Sequence, residues 1–381
     1  MPPFALLILI AVLVIALLVL RKPRPTSLSL RQQHGIIDGQ PVQLHTLTNG
    51  RGTQISVSEF GAMLTSVRTP DIQGRLGEIT LGLRSLEDYV AHNRHFGSTA
   101  GRYANRIAGG HLRIDGRDFT LAGNNNGQHL HGGLRGFDKR VWQSEALRTA
   151  TASAVRFTYI SPDGEEGYPG QLTAVVTYTL PDDADELHID FAATTDTPTA
   201  CNLTNHVFFN LAGGGSILDH RVQLLADHLV PVSPVLIPTG ELMDVTNTPF
   251  DFRTAHTIGE RIGATHDQLR RARGYDHCYD LGTAGTLKSV AFVSEATSGR
   301  TLEVLTDAPG LQLYTGNFLD GTIQGRWERP FGFRQGFCLE PGLFPDSPNQ
   351  PDFQRMGYPS GILRPGEQYA QKLVFRFGVM R

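Results

Sequence analysis

The stretch Leu112–Leu121, LRIDGRDFTL, decides the fold class. Apolar and polar residues alternate on both sides of Asp115-Gly116, and an Asp-Gly pair between two alternating runs asks for a two-residue type I′ hairpin, whose central residues both need positive φ. Outward from it, Gln171–Leu180 (QLTAVVTYTL), Leu187–Thr195 (LHIDFAATT), Thr301–Thr306 (TLEVLT) and Tyr369–Phe377 (YAQKLVFRF) are further β-branched or alternating runs. The chain's 42 glycines and 22 prolines supply turns for many strands. Helical signals are short: Ser85–Asp88 caps one turn, and Thr257–Arg271 places Ile258, Ile262 and Leu269 on a loose helical period. The expected fold is all-β, a large antiparallel β-sandwich with long loops.

The 381 residues, 40% apolar and 19% charged, are enough for a sizeable core. A net charge of −3 points to neither an anionic polymer nor an acidic surface as partner. Cys201, Cys278 and Cys338 lack the spacing of a disulfide framework or a zinc knuckle. Phe4–Leu20, FALLILIAVLVIALLVL, is unbroken and apolar; as a helix it spans roughly 26 Å, enough to cross a bilayer core. No positive residues precede it and no small-x-small cleavage signal follows, whereas Arg21, Lys22 and Arg24 come directly after. This predicts a retained single-pass anchor at 4–20 with the body on the cytoplasmic face, the alternative being a secretory signal with an atypical charge pattern. Residues 21–40 are basic and Pro-punctuated, the composition of a linker, and 41–381 show no shift that would divide them.

Six segments could carry chemistry. In Cys201–Gly215, CNLTNHVFFNLAGGG, an extended reading puts Thr204, His206 and Phe208 on one face and Leu203, Asn205, Val207 and Phe209 on the other. His206 is then either a hydrogen-bonded core histidine or the one proton-transfer group of its face. GRYANRIAGG, Gly101–Gly110, sets Asn105 and Arg106 where a loop could hold a guanidinium over a pocket, or simply form a surface salt bridge. In GNNNGQHLHGG, Gly123–Gly133, an extended backbone would aim His129 and His131 to one side, as in many metal sites; no acidic residue stands at a matching spacing, so a hydroxyl-rich ligand is the better reading. GYDHCYDL carries Asp276, and LQLYTGNFLDG sets Gln312 and Tyr314 on one strand face; carboxylate, amide and ring together are a kit for gripping a sugar. In GFCLEPGLFPDSPNQPDF, Glu340 ends an apolar strand before a proline-rich loop, partly desolvated at the mouth of the sandwich, which suits a general base.

Taken together, GRYANRIAGG, LRIDGRDFTL, LHGG with LRGFDK, NLTNHVFFNLAG, YDH, LQLYTGNF and CLEPGLFPDSPNQPDF resemble the aldose 1-epimerase (galactose mutarotase) family, in that family's order, from about Gln40 onward. The resemblance implies a galactose mutarotase-like supersandwich and an isomerase that interconverts the α and β anomers of free hexoses, galactose and glucose among them, without cofactor or metal. Carried over by motif, His206 corresponds to the catalytic acid and Glu340 to the base, while Asn105, Arg106, His131, Asp276 and Gln312 correspond to substrate-binding positions. Two departures stand out: Pro341-Gly342 follows Glu340 where the family commonly has a polar pair, and an N-terminal anchor is not the family norm.

Mutarotation breaks the C1–O5 bond, which is eased when one group takes the O1 proton as another protonates O5. Ordinary pKa values near 6.5 and 4.3 would leave His206 charged and Glu340 ionised, the states this needs. A glycoside hydrolase would instead need two carboxyls, Asp276 and Glu340, leaving His206 without a role. A non-catalytic carbohydrate-binding module would need neither His206 nor Glu340. An epimerase of phosphorylated hexoses would call for arginines at the pocket rim, where only Arg102 and Arg106 stand close in sequence.

Overall fold

The computed structural model describes residues 27–380 apart from 93, 327 and 328. Three antiparallel sheets dominate. Ser27–Ile37, Gln40–Thr48, Gln54–Ser58, Met63–Pro70 and Leu76–Glu78 form the first in chain order. A nine-stranded sheet runs Gln143–Arg148, Ala152–Ser161, Leu172–Pro181, Glu186–Thr195, Tyr369–Val379, Arg300–Thr306, Lys288–Ser294, Arg221–Leu224 and His256–Thr257. The third orders Met243–Asp244, His228–Val230, Asp276–Asp280, Gly310–Tyr314 and Cys338–Gly342.

The runs read from sequence form strands within a residue or two of their expected ends. Leu172–Pro181 alternates buried and half-buried along its length, so one face meets the core. The hairpin is present: His111–Ile114 pairs with Arg117–Thr120, and Asp115 and Gly116 take φ of 50° and 80°. The helical stretches also form. Ser85 precedes Leu86–His92, its hydroxyl accepting from the Asp88 N–H, and Thr257–Arg271 divides into Ile258–Arg261 and Asp267–Ala272.

All three sheets face one continuous core. Leu47 and Val67 come from the first, Val176, Phe191 and Phe375 from the second, and Leu311, Leu313 and Leu339 from the third. Burial of each such side chain is worth about 1.5–3 kcal/mol.

Part of the expected linker 21–40 is strand instead. Ser27–Ile37 pairs with Gln40–Thr48, because an extended polar segment with Leu30 and Ile36 can hydrogen-bond to an open sheet edge whatever its composition. The expected anchor at 4–20 lies outside the described residues. Among the described residues no helix is long and apolar enough to cross a membrane.

Candidate active site

The third sheet sets the floor of the site by register. Gln312 lies directly opposite Glu340, and Tyr314 opposite both Cys338 and, on its other side, Asp276. Period-two alternation puts Gln312 and Tyr314 on one face, and both line a cavity of about 790 Å³ together with Asp276 and Glu340. Gln312 Nε2 donates to Asp276 Oδ1 at 2.6 Å.

Glu340 does not end its strand. Cys338–Gly342 pairs with Gly310–Tyr314 through Pro341 and Gly342, so the carboxyl is mid-strand and buried rather than half-solvated at a loop. Pro341 is tolerated because this is the sheet's edge strand, and Gln371 Nε2 donates to its carbonyl. The departure at Pro341-Gly342 therefore leaves Glu340's backbone in regular sheet geometry.

His206 comes from the other wall. Thr204–Asn205 pairs with Thr99–Ala100, and beyond it the chain stays extended only in part, yet the expected division holds. Leu203, Val207 and Phe209 enter the main core, whereas His206 and Phe208 line the cavity. His206 Nε2 lies 3.6 Å from Glu340 Oε1, and its Nδ1 lies 3.6 Å from Cys338 Sγ.

Asn105 and His131 hold each other. Both adopt left-handed φ, 64° and 50°, a conformation that non-glycine residues rarely take and that tends to mark functional sites. The Asn105 N–H donates to His131 Nδ1 at 3.1 Å, and the His131 N–H to the Asn105 carbonyl at 3.0 Å. Gly132 follows at φ 88°, against the Gly101 carbonyl oxygen, where any Cβ would collide; the LHGG turn thus packs directly on the GRYANR segment. The Asp346 carboxylate clamps the same segment by accepting from the Ala108 N–H, and its own N–H donates to the Arg106 carbonyl.

The paired aim of His129 and His131 fails. Extended pairing stops at Leu130, and the left-handed turn at His131 breaks the alternation. His129 enters the interior, bonded to the Ala122 carbonyl and the Tyr168 hydroxyl; His131 alone faces the cavity. The two neighbouring arginines separate as well. Arg102 is buried away from the cavity and donates to the carbonyls of Ser161, Pro162, Pro169 and Gly170, while Arg106 lines the cavity and reaches Asn125 Oδ1 at 3.3 Å. The rim is more basic than sequence proximity indicated, since Arg94, Lys139, Arg271 and Arg273 also border the cavity. They are engaged by the protein: Arg94 with Asp320, Lys139 with Asp138, Arg271 with the Val232 carbonyl, and Arg273 over the Phe318 ring.

Burial controls the charges. It pushes His206 down to about 3 and Glu340 well above its ordinary value, the latter helped by the Asp276 charge and opposed by Arg106. Burial thus favours the neutral form of each group, against the expectation of a charged His206 beside an ionised Glu340. His131 is likewise held well below its usual value by burial and by the neighbouring His95 and His206.

Two polar atoms that line the cavity, Arg106 Nε and Gln312 Oε1, are buried without a hydrogen-bond partner among the described residues. Sugar hydroxyls, which both donate and accept, suit such a pair. His131, His206 and Glu340 also place ligand atoms within 4.8 Å of one another, close enough for a divalent metal. The Asn105 bond stands against that use: with Nδ1 accepting, a neutral His131 carries its proton on Nε2, the nitrogen left for a metal.

Sequence reasoning missed three neighbours. His95 lines the cavity, with ring centroids 4.6 Å from His131 and 5.6 Å from His206; Asp138 stands behind it; and Cys338 touches His206. LRGFDK supplied the available signal for Asp138, an acid beside an aromatic in a motif already singled out.

A mostly-β scaffold that brings a histidine and a glutamate together in one cavity lined by polar side chains is the frame of a small-molecule enzyme. The aldose 1-epimerase family model matches residues 43–376. Galactose mutarotase of Bos taurus is 43% identical over 328 residues, covering 86% of this chain and 91% of its own, and aldose 1-epimerase of Escherichia coli K12 is 42% identical, covering 89% and 96%. Galactose 1-epimerase from Lactobacillus acidophilus superposes with a TM-score of 0.81 at 29% identity, covering 93% of this chain and 100% of its own. The chain belongs to the aldose 1-epimerase family and is an isomerase that interconverts the anomers of aldoses.

Proposed function

We propose that the substrates are free hexoses, galactose and glucose among them, and that His206 and Glu340 exchange the protons of ring opening. The observation that carries this is the 3.6 Å approach of His206 Nε2 to Glu340 Oε1 inside a cavity large enough for a pyranose. With the sugar between them, Glu340 removes the O1 proton while His206 protonates O5, and C1–O5 breaks. The aldehyde turns about C1–C2, neutral His206 takes the O5–H proton back, protonated Glu340 returns one to O1, and the ring closes on the other face.

Burial favours neutral His206 and protonated Glu340, the forms that the second half of this cycle uses. For the first half, the polar oxygens of the bound sugar would supply the solvation that burial removes from the ionised pair. Arg106, Asn105, His131, Asp276 and Gln312 hold the remaining hydroxyls, so that the opened chain stays in place.

Polarimetry of freshly dissolved α-D-glucose and α-D-galactose tests the proposal. Mutarotation should run far above the spontaneous rate with the wild type and close to it with Glu340→Gln. Release of reducing sugar from aryl glycosides, with no effect on mutarotation, would favour a hydrolase built on Asp276 and Glu340.

Phe4–Leu20 supports a membrane tether for this enzyme, through its apolar length and the basic residues that follow. Resistance of the full chain to carbonate extraction, with its N-terminus intact, is the expected result; a soluble chain cleaved after residue 20 would refute it.

A further inference from the structure

We infer that one water molecule is held beside Glu340 by Thr204 and Gln312, and that Thr204 acts through it as a positioning residue for the Glu340 carboxyl. The role at Glu340 rests on the mutarotase reading above. Gln312 lies directly opposite Cys278 on one neighbouring strand and Glu340 on the other, so the three side chains leave the sheet on one face. All three, with Asn105, Asn202 and Thr204, line a small cavity of about 20 Å³, and a water needs roughly 10–15 Å³. Asn105, Gln312 and Glu340 also line the large cavity, so they stand between the two spaces.

Thr204 Oγ1 and Gln312 Oε1 are both buried without a hydrogen-bond partner among the described residues. Thr204 opens the short strand Thr204–Asn205, which packs against Cys338–Gly342, the strand that carries Glu340. The Gln312 amide is oriented from its other end, since Nε2 donates to Asp276 Oδ1 at 2.6 Å and leaves Oε1 as an acceptor. Glu340 meets His206 only at 3.6 Å, beyond hydrogen-bond length, so its carboxyl has acceptor capacity to spare. One donor and two acceptors thus border a space that fits one water.

A water there accepts from the Thr204 hydroxyl and donates to Gln312 Oε1 and to Glu340, three bonds in all, roughly the number a buried water makes. Gln312 Oε1 keeps a second lone pair for a sugar hydroxyl. The bond to Glu340 is stronger when the carboxyl is ionised, because charge on the acceptor strengthens a hydrogen bond. The water therefore favours the form that takes the O1 proton, and it fixes the rotation of the carboxyl toward the sugar. The side chains of Pro341, Leu343 and Pro345 complete the lining and offer the water no competing bond.

A high-resolution crystal structure of the full-length enzyme tests the site, and kinetics test the role. Density for one water within about 3.2 Å of both Thr204 Oγ1 and Gln312 Oε1 is expected, and a dry cavity would overturn the inference. Thr204→Val keeps the shape of the side chain and removes its hydroxyl, whereas Thr204→Ser keeps the hydroxyl. Thr204→Val should lower kcat for galactose about tenfold with KM changed less than about twofold, and Thr204→Ser should stay within about threefold of the wild type. Should Thr204→Val not fold, Thr204→Cys, whose thiol is a weak donor, takes its place. Wild-type kcat in the variant without the hydroxyl, or equal losses with and without it, would reduce Thr204 to a packing residue. A dry cavity in an enzyme that still catalyses mutarotation leaves the mutarotase reading standing, since Glu340→Gln tests that reading separately.

Discussion

His206 Nε2 and Glu340 Oε1 lie 3.6 Å apart, brought together from two different walls of one cavity. Neither side chain reaches the other through local structure. Glu340 arrives on the edge strand of a five-stranded sheet, and His206 follows a two-residue strand that pairs with Thr99–Ala100. The contact between them therefore exists only in the folded state, where burial favours the neutral form of each.

Removing either member should cost most of the activity without unfolding the chain. Glu340→Gln and His206→Asn are each expected to reduce kcat about 10²- to 10⁴-fold, with the double variant little worse than the poorer single one, because the two act as a unit. Polarimetric kcat values for the three variants check this. Strict additivity would mean that the two groups work independently.

Activity should not fall as pH drops through 6.5. The working pair needs one shared proton; His206 accepts a second only at about 3, and Glu340 gives up the first well above its usual value. A kcat/KM profile that stays level from pH 7 down to pH 5 is expected. An acid limb centred near 6.5 would show that His206 titrates as an ordinary histidine.

Stability should fall on acidification from about pH 6.5, ahead of most carboxylate titration. Burial depresses His206 and His277 to about 3, His129 and His220 to about 4, and His131 well below its usual value. Below 6.5 the unfolded chain binds protons that the native chain does not, so unfolding is favoured. Each histidine contributes up to about 1.4 kcal/mol per pH unit inside its window. His34 and His45 are pushed down as well, while Glu340, Asp190, Asp276 and Asp346 are pushed upward and work the other way, four groups against seven among the described residues. Melting temperatures that decline steadily from pH 7 to pH 5 would agree; a rise over that range would not.

The two arginines of GRYANR should fail in different ways. Arg102→Met strips donors from four buried carbonyls and is expected to lower stability by roughly 3–5 kcal/mol. Arg106→Met should raise KM for galactose at least tenfold with a small effect on unfolding. Urea unfolding and steady-state kinetics on both variants separate the two roles.

Exhaustive EDTA treatment should leave mutarotation intact. His131, His206 and Glu340 cluster closely enough for a metal, but the Asn105 N–H assigns the His131 proton to Nε2. Activity lost on chelation and restored by added zinc would reverse that tautomer argument.

Much of this protein was legible before any coordinates. The strand runs carry their own period, so Leu172–Pro181 and Arg300–Thr306 form where alternation says they should, and Asp115-Gly116 turns the chain because that dipeptide accepts two positive φ values. Gln312 and Tyr314 share the cavity face that a period of two assigns them. Local signals fail where the backbone departs from regularity. His129 and His131 part company at a left-handed residue that no alternation rule foresees, and Ser27–Ile37 joins a sheet edge despite a linker's composition.

The sequence by itself determined the kind of elements, their order and the residue types able to move a proton, since periodicity and turn chemistry act over a few neighbouring residues. Only the tertiary structure decided which of those residues meet: His206 with Glu340, His95 with Asp138, Arg106 at the cavity and Arg102 in the core. It also decided that burial works against charge on both His206 and Glu340, because desolvation belongs to the whole surrounding shell of packed atoms rather than to any segment of the chain.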